Sequence, residues 1–299
     1  MDVSVPWFDL RERLGRTLFA RVAGPEGPDN RARIHGTPGP RWFGPDSAIR
    51  AVHGDASMFV GGLRALLLQS LHPLAMAAVA AHSGFRGDPW GRLHRTSTFL
   101  AVTTYGTADD AQQAVDGVRA VHERVRGVTP SGAAYHASDP HLLGWVHVAE
   151  VDSFLIAHQR YGAHPLDPAG YDAYVADTAR VAAALGVTDP PRDRAELAER
   201  LASYRPELYA TREAREAARF LLRHPPLPRI ARAPYAILAA NAVSTLPRWA
   251  CESLGLPYPP AVERTVVRMA GHALVGTIRW ALGSPARTRD EEGRISRSA

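Results

Sequence analysis

His122 is the residue whose type departs most from its surroundings. It lies in the stretch 109–126, DDAQQAVDGVRAVHERVR, where Ala111, Ala114, Val115, Val118, Val121 and Val125 recur at three- and four-residue spacing. That spacing lays an apolar stripe along one face of a helix. His122 falls inside the stripe, and Arg119 sits one turn back on a neighbouring face. An imidazole aimed into an apolar interior needs a partner for its ring nitrogens. Two readings stand: a core histidine satisfied by hydrogen bonds, or a ligand to a bound group.

Other residues of chemical interest lie before and after it. Asp88-Pro89 reads as an N-cap with proline at the first helical position. The helix it opens, WGRLHRTSTFLAVTTY, carries Arg92, Arg95, Thr96 and Phe99 on one face. Two cations and a hydroxyl form either a solvated surface or the wall of a polar pocket. A later helix opened by Asp139-Pro140 carries Trp145, His147 and Asp152. His72 precedes Pro73 inside an apolar run, where it either contacts a cofactor or caps a broken helix.

Several chemistries are absent. The chain has no GxGxxG or Walker loop, no GxSxG elbow, no HExxH and no carboxylate–histidine pattern of a di-iron bundle. The single cysteine, Cys251, excludes an intrachain disulfide and a Cys-rich zinc site, and suits a reducing cytoplasm. All 35 basic residues are arginine, and the formal charge is +5. The arginines are dispersed, without a dense or aromatic-interleaved patch, so nucleic acid is not an expected partner.

The elements that must position these residues read as helices. An amphipathic segment spans Phe8 to Val22, and a Gly/Pro/Arg-rich stretch after it reads as an extended arm or loop. The run MFVGGLRALLLQSLHPLAMAAVAAHSGF is core helix broken at His72-Pro73. It is interrupted too often for a membrane span of about 20 apolar residues. Gly61 and Gly62 leave room for another backbone or a flat ligand. Thr107 and Asp110 resemble a capping box opening the His122 helix, which ends near Gly127. The loop GVTPSGAAYHAS follows, and no stretch alternates well enough to be a strand. Helices are expected over 168–185, 194–202, 214–223, 234–246 and 261–282. The expectation is one all-α domain of about ten helices enclosing a haem-sized apolar pocket. Its parts are an N-terminal arm (1–45), a body (46–283) and a disordered tail (284–299). Such a chain is a plausible haem host, since haem needs a proximal imidazole, an apolar slot and cations for its propionates.

The ordered set LLLQSLHP, RLHRT, VRAVH near GVTP, and DPHLLGWVH with VDSFL resembles the catalytic domain shared by latex-clearing rubber oxygenases and the mycophenolate-pathway oxygenase MpaB. The resemblance covers roughly residues 40 to 285. It implies an all-α fold that binds haem b. It implies His122 as proximal iron ligand, its second ring nitrogen donating to a carbonyl or carboxylate, with Arg119 beside it. On the distal side it implies catalytic roles for Arg92, Arg95 and Thr96, and cofactor contacts from Arg92, His72, Trp145 and His147. Arg95 stands where the rubber enzymes carry a lysine. Arginine cannot give up its proton to coordinate iron, so Arg95 is left to hydrogen-bond oxygen or a propionate.

The N-terminus MDVSVPWFDLRERLGR shows no signal-peptide pattern. The expectation is therefore a cytoplasmic oxygenase whose partners are molecular oxygen and a small intracellular apolar substrate, isoprenoid-like in class. The alternative is a haem-binding sensor, carrier or scavenger using the same ligand, with iron closed by a second residue such as His94 or His147.

Overall fold

The computed structural model describes residues 6–83, 87–258 and 260–283. The expected tail lies outside them, as do residues 84–86 of the apolar run. The N-terminal arm is helical: α1 (Pro6–Ala23) and α2 (Gly27–Gly36). The stretch expected to be extended thus forms α2. Pro28 sits in its first turn, where a missing N–H is no loss, and Ile34 is its buried anchor. Asp29 in the first turn and Arg33 and His35 in the last suit the helix dipole.

After α3 (Ala48–His53), the apolar run forms α4 (Met58–Gln69) and α5 (Pro73–His82), bent by 107° at the expected break. Then come α6 (Pro89–Tyr105), α7 (Ala108–His122), a hairpin of β1 (Arg126–Val128) and β2 (Ala134–His136), and α8 (Pro140–Tyr161). The chain continues through α9 (Pro168–Leu185), α10 (Arg194–Tyr204), a 3-10 turn (Arg205–Glu207), α11 (Arg212–Arg223), α12 (Arg229–Ser244), α13 (Arg248–Leu254) and α14 (Ala261–Leu282). The described residues therefore hold fourteen α-helices rather than about ten. The hairpin corrects the expectation of no strand: Gly127 pairs with Tyr135, and a Cβ at Gly127 would strike the Tyr135 ring.

Side chains start the helices as their types require. Asp88, Asp139 and Asp167 accept from the backbone N–H of Gly91 (2.8 Å), His141 (2.9 Å) and Gly170 (2.7 Å). Each satisfies an otherwise orphaned donor. At α7, Thr107 Oγ1 accepts from Asp110 N (3.1 Å) and donates to the Asp110 carboxylate (2.8 Å).

α4 lies against α8 at the centre. A Cβ at Gly61 would stand 2.8 Å from Phe154 Cδ1, so glycine is what allows this approach, whereas a Cβ at Gly62 would meet nothing. Arg64 on α4 is 1% exposed and fully engaged: Nη2 pairs with Asp152 (2.8 Å), Nη1 donates to Ser153 Oγ (2.7 Å), and Nε donates to the Thr245 carbonyl (3.1 Å). That ties α4, α8 and the end of α12 together through one side chain. No single helix among the described residues is long and apolar enough to cross a membrane. The bent α4–α5 pair qualifies by length and composition only, and its Val60, Leu63, Leu67, Leu68 and Leu71 are buried in the core.

Candidate active site

α6 and α7 are joined by Gly106 and Thr107 and fold back along one another. Arg92 lies 14 residues before Gly106 (106 − 92) and His122 lies 15 after Thr107 (122 − 107). At a rise of 1.5 Å per residue both are roughly 21–23 Å from the turn. The two residues therefore share the open end of the helical hairpin. α5 closes that end: its C-cap residue Ser83 accepts from Arg92 Nη1 (3.0 Å). Val125, just past His122, packs against the cluster of Ala78 of α5, Tyr135 of β2 and Leu142 of α8, which Leu74 and Ala77 also cover.

His122 is the last residue of α7, not an interior one, because the chain turns at Glu123 and Arg124 into β1. Ala111 and Val115 are buried, and Ala114 and Val118 half-buried, as the stripe requires. Val121 is not part of it: it is 48% exposed. Adjacent helical residues point about 100° apart, and His122 takes the inward direction. His122 is half-buried, and its Nδ1 is buried with no hydrogen-bond partner. Burial lowers its pKa, opposed in part by Glu123, which leaves the imidazole neutral at pH 7.

The neighbouring cations divide. Arg92 is half-buried, with its pKa lowered by burial and then by Arg95. Arg95 is exposed and reaches Asp88 at 3.4 Å, and Thr96 is exposed. Arg119 is exposed and donates to the Ala184 carbonyl at the end of α9 (3.3 Å). The opposite face of α6 is committed to α1: His94 Nε2 meets the Arg21 carbonyl (3.0 Å) and Ser97 Oγ donates to that of Val22 (2.8 Å). The face carrying Arg92, Thr96 and Phe99 points away from α1.

On α8, Trp145 and His147 are two residues apart and so about 200° apart around the helix. Trp145 is fully buried, donating from its indole nitrogen to the Gln69 carbonyl (3.0 Å) and packing on Tyr204. His147 faces elsewhere, half-buried, with Nε2 lacking a partner and its pKa pushed down to about 4 by burial. Glu150, one turn on, keeps some accessible surface, yet burial pushes its carboxyl up to about 7. Tyr174 is buried, its hydroxyl pushed well above the ordinary value by burial and by Glu150 and Asp177. His53 joins the Tyr174 hydroxyl (3.1 Å) to Thr104 Oγ1 (2.8 Å), and burial lowers it to about 3. Sequence reading missed Glu150, Tyr174 and His53. Glu150 had one signal: an acid three residues after His147 in an otherwise apolar helix. His72 lies at the N-cap of α5, where its side chain makes no cap, and it turns toward His141 and Glu207.

Residues 50–280 match the family described as ER-bound oxygenase mpaB/B'/Rubber oxygenase, catalytic domain. The chain belongs to that family. Membership makes it a relative of oxygenase catalytic domains and accords with the all-α architecture. Two curated relatives, uncharacterized proteins of Mycobacterium bovis and Mycobacterium tuberculosis, are each 36% identical over 109 residues, which is 36% of this chain and 42% of theirs. The chain thus spans about two fifths of the length of the curated relatives it matches. No solved structure matches the chain.

Proposed function

We propose that the chain is a haem b-dependent oxygenase for a small apolar substrate, with His122 as the proximal iron ligand. The observation that carries this is a neutral imidazole with a buried, unpartnered ring nitrogen, held at the open end of the α6–α7 hairpin. A histidine kept neutral by burial retains the lone pair that ligation needs. Arg92, half-buried at the same end, offers a cation for a propionate or for bound oxygen. Thr96 and Phe99, on the same face of α6, extend the wall from polar to apolar. Arg95 and Arg119 lie further out, where long arginine stems reach the rim. When bound, the haem supplies the oxygen chemistry; the protein orients the substrate and holds charge around it. Haem-supplemented protein should show a Soret band, and His122→Ala should abolish or displace it.

A second reading rests on His147, whose Nε2 is also buried without a partner. As a second protein ligand it would close the iron and make the protein a haem binder without turnover. Carbon monoxide discriminates. An open site takes it up at once on reduction, whereas iron closed by His147 takes it up at the slower rate at which that ligand lets go, and His147→Ala removes the delay.

A further inference from the structure

Three segments far apart in sequence bring His72, His141 and Glu207 together, with their ligand atoms all within 4.8 Å of one another. His141 Nε2 lies 2.9 Å from Glu207 Oε2, and His72 Nε2 lies 3.4 Å from the same oxygen. The second contact does not make a hydrogen bond. His72 is 3% exposed, and neither of its ring nitrogens has a hydrogen-bond partner. A buried imidazole with no hydrogen bond from the protein has ring nitrogens open to a ligand.

The scaffold around the three is fixed by main-chain bonds. His72 sits at the α4–α5 bend, its carbonyl accepting from Met76 N (2.9 Å). His141 lies in the first turn of α8. Its ring is 4.7 Å from that of Tyr204, and its carbonyl accepts from the Tyr204 hydroxyl (2.8 Å). Glu207 ends the 3-10 turn, and two residues later Tyr209 N donates to the Leu71 carbonyl (2.9 Å), locking that turn to the bend beside His72.

We propose that His72, His141 and Glu207 bind a single first-row divalent ion, best matched by Zn2+. Two imidazoles and one carboxylate are a borderline-soft set, which favours zinc over calcium or magnesium. Bonds of about 2.0–2.1 Å in a tetrahedral arrangement set neighbouring ligand atoms about 3.3 Å apart. His72 and Glu207 already have that spacing, His141 needs to withdraw from Glu207 by a few tenths of an ångström, and the two imidazole nitrogens, within 4.8 Å of one another, close onto the ion. His141 and Glu207 have exposed side chains, at 52% and 44%, so an ion enters from solvent and keeps a position for water. The bound ion clamps the α4–α5 bend to α8 and to the turn after α10. The site lies on the Trp145 side of α8, apart from His147.

The test uses untagged full-length protein stripped with a chelator and titrated calorimetrically with Zn2+. Saturable binding of one equivalent is expected. His141→Ala and Glu207→Gln, both at exposed positions that leave the core intact, should each weaken it by more than about tenfold, since loss of even a supporting residue around a metal costs 10–100-fold. Co2+ should give visible d–d absorption that the same two variants remove. His122→Ala should bind Zn2+ as the unmodified protein does, so a failed haem assignment leaves this result intact. Absence of saturable binding, or one-equivalent binding that survives both substitutions, overturns the proposal.

Discussion

Replacing Glu150 with glutamine should stabilise the protein at alkaline pH and do little under acid conditions. Burial raises the Glu150 carboxyl from an ordinary 4.5 to about 7. Between those values the folded chain holds a proton that the unfolded chain has released, so stability falls as pH rises. The full contribution is present below about 4.5 and is lost as pH climbs through about 7. A shift of 7 − 4.5 = 2.5 units corresponds to about 3 kcal/mol at 1.36 kcal/mol per unit. Glutamine mimics the protonated acid and escapes this loss. Integrating the two titrations gives the Glu150→Gln variant an advantage of under about 1 kcal/mol at pH 5 and about 3 kcal/mol at pH 8. The gap should widen by about 2 kcal/mol, roughly 4 °C in melting temperature for a chain of this size. Urea unfolding of both proteins at pH 5, 6, 7 and 8 reads it directly. A constant difference across that range would show that Glu150 titrates normally and that its surroundings are wet.

Two further substitutions probe the core. Asp152→Ala removes the carboxylate paired with buried Arg64, leaving it Ser153 and the Thr245 carbonyl. Breaking a buried pair costs about 3–5 kcal/mol; because Asp152 is 21% exposed, a loss near 3 kcal/mol is expected, and one below about 1 in denaturant unfolding would contradict the buried pair. Gly61→Val places branched carbons against Phe154 and Ala157, and overpacking of about 1–3 kcal/mol should follow. Gly62→Ala, where no atom stands within 4 Å, should be neutral or slightly stabilising, and equal effects at the two glycines would refute the close approach of α4 and α8.

Local rules carried the reading where local chemistry decides the structure. Pro73 set the break at the 107° bend, two Asp-Pro pairs opened α6 and α8, and the helices expected over 168–185 and 261–282 stand as α9 and α14. Tertiary contacts decided the rest. Gly and Pro in the arm read as loop, but burial of Ile34 made a helix there. The hairpin is only three residues a side and stands by packing Tyr135 on α5 and α8, which no alternation in the sequence announces. His122 was legible as an outlier in an apolar stripe, but not as a helix-terminal residue. The His72, His141 and Glu207 group was not legible: His141 lies 69 residues after His72 and Glu207 another 66, and tertiary bonds such as that of Tyr209 N to the Leu71 carbonyl bring the third to the first. Absence of a metal motif excluded only ligands that are neighbours in sequence.

The proposed role of His122 rests on its buried, unpartnered ring nitrogen, and an ultraviolet–visible spectrum tests it. Protein produced with haem supplementation and purified without added cofactor should show a Soret band in stoichiometric amount. His122→Ala should lose that band or shift it markedly while keeping the helical circular dichroism of the parent. Colourless protein despite supplementation, or a His122→Ala spectrum identical to the parent's, would contradict the assignment and leave His122 a core histidine.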